Sequence, residues 1–528
     1  MMLRHRQSSI DPISDRAIGL LAVSLAVALA FVLPFLRPVL PVDETRYLSV
    51  AWEMHRDFNF IVPRLNGEIY AHKPPLLFWL INLIWSVTGP SEVAARMVAP
   101  AFGVLSVALT WRLGNRLFPE RSDLGATAAL ILASTGIFAL YGSLTMFDTM
   151  LTSATLLGIL ALLRMDVGGR WPATLGFGAA VAFGVLAKGP VILVHLLPLA
   201  LAQPFWSQSE EPLGAGAWYR RIGASIIVAL AILAIWLVPA LWLGGPEYRD
   251  EILWRQSAGR MVNAFDHARP IWFFVAILPL LVWPWAWRRS ALCGLWTSGL
   301  WKDRRARLLS IWGLSTLVLF SLISGKQAHY LIPALPAVAL ALAAAPAPRR
   351  GVGPLIAYLA IILPVFIWAA LLASGRTKID GVAVMTLVPT TFALAGGIAT
   401  AGLALIAFAG RRAPIVGWAL VAPMALLASH VILRPAIFEH YDTARFAAEL
   451  SRAPAAGVAI VGYPYQGEFG FTARLSVPIT VLSEAELADW VATHPGGLLI
   501  TGSDQPDMSP PVDEGWLAGK LLRLHRLP

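Results

Sequence analysis

DETRYLSVAWEMHRDFNFIVPRLNGEIYAHK, residues 43–73, is the stretch on which the reading of this chain turns. It follows the first long apolar run and gathers acids, bases, histidines and aromatics in a chain that is only 14% charged. Ionisable groups are costly beside hydrocarbon, so a crowd of them where the chain leaves a membrane span points to a site. The apolar run after it, Pro74–Val87, is about 14 residues long, against the roughly 20 that a spanning helix needs. Whether that run crosses the membrane decides the orientation of everything downstream.

The chain has 528 residues, 57% of them hydrophobic, and a mean hydropathy of +0.67. This apolar excess lies in continuous runs, which predicts a polytopic α-helical membrane protein and excludes a barrel of alternating strands. Lys and Arg total 41 against 31 Asp and Glu, a net charge of +10. In a membrane protein that balance reads as the basic bias of cytoplasmic loops rather than a nucleic-acid surface. The single cysteine, Cys293, excludes an internal disulfide and a cysteine-based metal site. No small-residue cleavage site ends the run that begins near Ile18, so an uncleaved first span with its N-terminus inside is expected.

Spans are expected near 18–36, 93–117, 123–142, 149–165, 172–187, 189–204, 222–243, 270–287, 308–323, 328–345, 352–373, 387–409 and 414–433. Charge tests this arrangement. If Pro74–Val87 does not cross, the basic clusters Arg112/Arg116/Arg121, Arg164/Arg170, Arg220/Arg221, Arg288/Arg289 with Lys302–Arg307, Arg349/Arg350 and Arg411/Arg412 all fall inside. If it crosses, every one of them moves outside, against the positive-inside bias. About thirteen crossings with juxtamembrane helices are therefore expected, and an outside C-terminus. Residues 1–433 form the membrane domain, with the site in outer loops 37–92, 142–148, 244–270 and 324–330. Residues 434–528 read as a small soluble α/β domain: VAIVGY from Val458, ITVL from Ile479 and GLLITG from Gly497 are strand-like, with a helical AELADWV between the last two.

With this topology the unusual polar residues share one face. Asp43, Glu44, Arg46 and Tyr47 open the first outer loop, and His72-Lys73-Pro74-Pro75 closes it. Asp148 stands at the start of a later span and Lys188 between two others. Arg255, Arg260, Asp266, His267 and Arg269 share a loop, and Lys326, His329 and Tyr330 share another. Both signs of charge converging from five loops fit the handling of an anionic lipid-borne group. Lys73, Lys188, Arg260 and Lys326 are candidates to bind phosphate oxygens, and Asp43 is a candidate general base or electrostatic partner to a developing cation.

Each of these residues also has a plainer reading. Asp43 suits an N-cap of the amphipathic run Glu44–Asp57. Lys73 could snorkel to the interface, Asp148 could be one half of a structural ion pair, and Tyr330 could be an aromatic-belt anchor, as Trp283, Trp285 and Trp287 are expected to be. His72 and His267 suit hydrogen-bonded surface histidines as well as metal ligands, and Arg255 and Arg269 read as interfacial.

Taken in order, DETRY (43–47), PRLNGEIYAHKPPL (63–76), TMFDTMLT (145–152), AKGP (187–190) and GKQAHYLIP (325–333) resemble the bacterial aminoarabinose transferase branch of the protein O-mannosyltransferase superfamily. These are GT-C glycosyltransferases that use a polyprenyl-phosphate sugar. The resemblance covers about Ile18 to Pro346. It implies a thirteen-span GT-C fold with a small periplasmic domain in the inner membrane. The implied activity is inverting transfer of a sugar to lipid A, the lipopolysaccharide core or another envelope glycan.

By the same resemblance Asp43 and Asp148 are the catalytic carboxylates. Lys73, Lys188, Arg260 and Tyr330 bind the donor phosphate, and Glu44, Arg46, Tyr47, Lys326 and His329 surround them. The family tends to carry a glutamate before the first-loop lysine, implicated with a loop-four histidine in binding zinc. Here that position is His72, with His267 as the second candidate ligand. The family's E-H-x-x-R becomes Q-S-A-G-R ending at Arg260, which implies a different sugar or acceptor. A glycan ligase or polymerase is chemically close to this reading. A lipid-linked sugar transporter would instead spread charge along its spans.

Overall fold

The computed structural model describes residues 14–168, 171–252, 268–288, 303–377, 389–452, 456–502 and 510–528. Among them, nine helices are long and apolar enough to cross a membrane. They coincide with nine of the thirteen expected spans, and the other four expected spans are broken. Residues 123–142 divide into α5 (Ser122–Ala133) and α6 (Gly136–Tyr141), and residues 189–204 give Ile192–Leu201 followed by Gln203–Trp206. Residues 270–287 give Phe273–Leu281 and a 3-10 turn at Trp285–Trp287, while 328–345 is a 3-10 helix, Ala328–Ala334, running into Leu335–Ala344.

Prolines mark three of these interruptions, since each removes a backbone donor and crowds the preceding turn: Pro198 and Pro204, Pro279 and Pro284, Pro333 and Pro336. The fourth is closed from outside its own helix. The Gly136 N–H donates to the carbonyl of Trp283 at 2.8 Å and the Trp285 indole to Ser134 Oγ at 3.2 Å, so two helix breaks satisfy each other inside the bundle. This corrects the aromatic-belt expectation. Trp283 and Trp285 are buried packing residues, and Trp287 alone of the three is exposed.

Elsewhere the bundle surface is apolar, as a lipid-facing surface must be. Ile227, Leu230, Ile235, Val238 and Trp242 all stand exposed along Ala215–Leu243. The chain is a multi-pass membrane protein.

The connections that matter to the site lie at one end of this bundle. After α1 (Asp15–Val32), the segment 37–92 forms α2 (Asp43–Asp57), a two-stranded ribbon β1 (Arg64–Leu65) and β2 (Glu68–Ile69), and α3 (Leu76–Thr88). At 1.5 Å per residue α3 is about 20 Å long, too short for the hydrocarbon core. It is apolar on both sides: Leu77, Phe78, Ile81 and Trp85 are buried, while Leu83 and Val87 are exposed. Among the described residues it is one of the shorter apolar helices, below the length of the nine that could cross a membrane. α4 (Glu92–Leu117) then enters the bundle, its start capped by Ser91 Oγ on Ala94 N–H.

Past the last long helix, which runs to Tyr441, the chain forms a five-stranded sheet of order β4-β3-β5-β7-β6, with β3 (Val458–Val461), β4 (Thr480–Leu482), β5 (Leu498–Gly502), β6 (Asp513–Leu517) and β7 (Lys520–Arg526). β3 runs parallel to β4 and β5, and β7 is antiparallel to β5 and β6. The hairpin β6–β7 was not anticipated, although its alternation of buried and exposed positions about Ala518-Gly519, both at positive φ, is a hairpin signature.

One buried ion pair ties the first two loops together. Glu44 and Arg37 are each about 2% exposed and bonded to each other. Glu44 also accepts from Leu40 N–H at 3.2 Å and Thr145 N–H at 2.7 Å, and Arg37 donates to the Ser143 carbonyl at 2.8 Å. Arg96 of α4 donates to the carbonyls of Arg37 and Pro38. Burial alone would raise the Glu44 carboxyl, but the Arg37 and Arg96 guanidiniums outweigh it and hold the group below its ordinary value. Its stabilising contribution is therefore intact above about pH 5 and is lost as acid carries the group through its lowered value. Glu44→Gln leaves Arg37 buried without a counter-charge and should cost about 3 to 5 kcal/mol. Thermal unfolding of the purified variant in detergent, read against wild type, measures it.

Candidate functional site

α2 starts at Asp43 because a basic last turn and an acidic first turn suit the helix dipole: Asp43 and Glu44 open it, His55 and Arg56 close it. The capping reading of Asp43 does not hold. Val42 occupies the cap position and no side chain caps the helix. The Asp43 carboxylate instead accepts the Tyr47 hydroxyl, one turn along, at 2.8 Å. Tyr47 is buried against Phe147 and Phe78. Burial first, and the Asp43 carboxylate second, push its hydroxyl well above its usual value, so it stays a donor and aims one oxygen of Asp43.

Asp148 begins α7 (Asp148–Asp166), and Lys188 ends α8 (Trp171–Lys188), just before the turn at Gly189, whose φ is +80°. The lysine ammonium donates to Asp148 Oδ1 at 2.6 Å, with the Asp148 side chain 1% and the Lys188 side chain 14% exposed. The second oxygen, Asp148 Oδ2, is buried without a hydrogen-bond partner among the described residues. Lys188 Nζ also lies 5.2 Å from the centre of the Tyr330 ring, within cation–π range. Tyr330 stacks edge-on against His329 at 4.9 Å, and His329 lies 5.2 Å from Tyr141. Tyr330 is thus packed inside the cluster and is no belt anchor.

Asp43, Lys73, Asp148 and Lys188 all act electrostatically on His329, and Lys73 and Lys188 both act on Asp148. Four segments distant in sequence therefore meet in one charged cluster. Lys73 is half-buried there, and His72 is exposed with its ring 5.3 Å from that of Tyr70.

The remaining candidates occupy other positions. Glu44 belongs to the buried Arg37 pair. Arg46 reaches away to the Gln466 side chain of the sheet domain. Lys326 is buried, and its ammonium donates to the carbonyls of Ile323 and Ser324 and, at 3.0 Å, to that of Arg269. A cation there closes the C-terminal end of the helix Arg304–Leu322 and ties the strap after it to residues 268–269, a positional role rather than a free phosphate ligand. Arg255, Arg260, Asp266 and His267 lie outside the described residues. Among those described, no group of three or more His, Cys, Asp or Glu side chains is placed to hold a metal. The described donor set is too small for zinc, which takes at least three protein ligands.

Sequence reasoning missed Arg37, Arg96 and Tyr141. The two arginines sit next to or within apolar stretches, where an unpaired guanidinium would be prohibitive, and that alone could have marked them as buried partners. Tyr141, which feels the charges of both Asp148 and Asp43, carries no such signal at a span end.

A family model described as dolichyl-phosphate-mannose-protein mannosyltransferase matches residues 72–242. An undecaprenyl phosphate-alpha-4-amino-4-deoxy-L-arabinose arabinosyl transferase of Pseudomonas fluorescens is 30% identical over 314 residues, covering 56% of this chain and 52% of the relative. The corresponding protein of Pseudomonas paraeruginosa is 31% identical over 313 residues, covering 56% of this chain and 54% of the relative. The chain thus spans about half the length of the curated relatives it matches. The crystal structure of ArnT from Cupriavidus metallidurans bound to undecaprenyl phosphate superposes with a TM-score of 0.74 at 18% identity, covering 96% of this chain and 97% of that one. In sequence the chain is aminoarabinose transferase-like over more than half its length, and it shares the GT-C fold over nearly all of it.

The Asp148–Lys188 pair should behave as a coupled buried unit. Lys188→Met alone strands a carboxylate that is 1% exposed and should cost about 3 kcal/mol or more. Adding Asp148→Asn should recover most of that loss. A double-mutant cycle on detergent-solubilised protein, followed by thermal unfolding, measures the coupling.

Proposed function

We propose that this protein is an inverting glycosyltransferase that moves a sugar from a polyprenyl-phosphate donor to an envelope acceptor. The acceptor is lipid A, the lipopolysaccharide core or another glycan, and the reaction takes place on the periplasmic face of the inner membrane. The observation that carries the reading is the juxtaposition of an oriented carboxylate, Asp43, with a cationic group, Lys188 and Lys73, at one end of a membrane bundle. Likeness to arabinosyl transferases whose names specify an undecaprenyl-phosphate sugar supports the donor class. The basic clusters at the other ends of the helices support a cytoplasmic N-terminus and a periplasmic C-terminal domain, with residues 434–528 as that domain.

In this mechanism the donor lies with its tail in lipid and its phosphate against Lys188, Lys73 and Arg260. Lys188 is held ready by Asp148 and the Tyr330 face. The acceptor oxygen attacks the anomeric carbon from the side opposite the phosphate. The new C–O bond forms as the bond from that carbon to the phosphate oxygen breaks, and the configuration inverts. Asp43, its other oxygen engaged by Tyr47, takes or orients the acceptor proton. Polyprenyl phosphate departs as a dianion or monoanion stabilised by the cations, so no general acid is required for the leaving group.

Asp43→Asn should lower the transfer rate by ~10²-fold or more while the protein still inserts and folds. Turnover at the wild-type rate would remove Asp43 from the mechanism. Lys188→Ala, introduced with Asp148→Asn so that no buried carboxylate is stranded, should weaken donor affinity, measured as binding of polyprenyl phosphate to the purified protein. Mass spectrometry of lipids and lipopolysaccharide from a deletion strain identifies donor class and acceptor through the sugar mass that disappears. Accumulation of a lipid-linked sugar on the cytoplasmic side would indicate a transporter instead.

A further inference from the structure

In open α/β sheets the crevice beyond the C-terminal ends of the parallel strands is the usual ligand site, at the point where strand order reverses. In the sheet domain that point lies between β3 and β5, since the chain goes from β3 to β4 on one side and returns to β5 on the other. The loop that leaves β3 there runs onto α2. Ser49 Oγ donates to the Gly467 carbonyl at 2.6 Å and accepts from Phe471 N–H at 2.9 Å. Trp52 Nε1 and the Arg56 guanidinium both donate to the Leu475 carbonyl at 3.0 Å, and Arg46 donates to Gln466 Oε1.

Residues 46, 49, 52 and 56 recur at helical spacing on one side of α2, and Asp43, bonded to Tyr47 one turn along, opens the same helix. The opposite side of α2, with Tyr47, Leu48 and Ala51, packs into the apolar cluster around Phe78 and Phe147. α2 is therefore gripped on two sides, by the bundle and by the sheet domain. Contact on the domain side depends on glycine: a Cβ at Gly470 would meet Ser49 Oγ at 2.7 Å and Ser49 Cβ at 2.9 Å. Behind the loop, the buried Glu468 carboxylate accepts from Gln466 N–H at 2.7 Å and the Tyr463 hydroxyl at 3.2 Å, which sets where Gln466 stands.

We infer that the sheet domain positions the catalytic helix, with Gln466 and Gly470 as positioning residues that hold Arg46 and Ser49 and thereby the carboxylate of Asp43. The inference rests on the glycosyltransferase reading for its kinetic arm only. Among the described contacts, those of Gln466, Arg46 and Ser49 join α2 to the domain loop and none is to Lys73, Asp148 or Lys188, so donor binding is separable from helix placement.

Gly470→Ala in the full-length protein wedges the loop from α2. It should lower kcat for sugar transfer about tenfold, since small misplacements of a reacting group are costly, with KM for the donor unchanged. Amides of residues 46–57 should exchange faster with deuterium while those of α7 and α8 do not. Gln466→Ala, on an exposed side chain, is the milder variant should Gly470→Ala fail to fold. It should lower kcat about threefold, with Gln466→Glu retaining activity through its contact with Arg46.

Unchanged kcat and unchanged exchange in α2 would overturn the inference, as would equal damage to kcat and donor KM. A wild-type protein without transfer activity would sink the functional reading alone, because the exchange arm reads helix placement without it.

Discussion

A carboxylate held among apolar helices must find a cation or be neutralised, and the Asp148–Lys188 pair is this protein's answer at the centre of its charged cluster. The pair joins the start of α7 to the end of α8. Lys188 in turn lies over the ring of Tyr330, and Tyr330 packs on His329, which brings in the strap 323–334. One oxygen of Asp148 is left without a hydrogen-bond partner among the described residues, an uncommon condition for a buried carboxylate. Removing either charge exposes the other to the full cost of burial, which is why both were legible as candidates and neither is interchangeable.

A second buried pair, Arg37 with Glu44, performs a different task with similar means. It sets the first loop against the second, using the backbone of Ser143 and Thr145 as well as its own charge. Because Glu44 is adjacent to Asp43, this pair fixes where α2 begins, and Tyr47 then fixes how Asp43 is turned. The DETRY motif is thus a division of labour over five residues: one acid for the cluster, the next for the scaffold, an arginine for the outer domain and a tyrosine to orient the first acid.

Much of the fold was legible because hydrocarbon imposes a simple rule: polar backbone must be satisfied within continuous apolar helices, and basic loops stay on one side. That rule found the apolar segments and set Pro74–Val87 apart as too short to cross. It could not show that four segments are broken, since at the break after Ala133 the Gly136 N–H and the Ser134 hydroxyl find partners in Trp283 and Trp285 of a distant segment. For the same reason the tryptophans looked like an interfacial belt when they are internal struts. The β6–β7 hairpin was overlooked because strands of charged and apolar residues at a chain end carry a weak signal without their neighbours.

Apolar runs were enough to determine that this chain is a multi-pass membrane protein, and the order of its motifs was enough to show its resemblance to GT-C enzymes, because a membrane span needs a long apolar run wherever it occurs. Which charged residue meets which was decided only in three dimensions. Lys326 looked as suitable as Lys188 for binding phosphate, yet its ammonium is taken up by the carbonyls that end a helix, whereas Lys188 stands beside Asp148. Likewise Arg46 turns to Gln466, 420 residues away, while its neighbour Tyr47 turns to Asp43. Ion pairing and hydrogen bonding depend on distances of a few ångströms, and only the packing of helices and sheet against one another sets those distances.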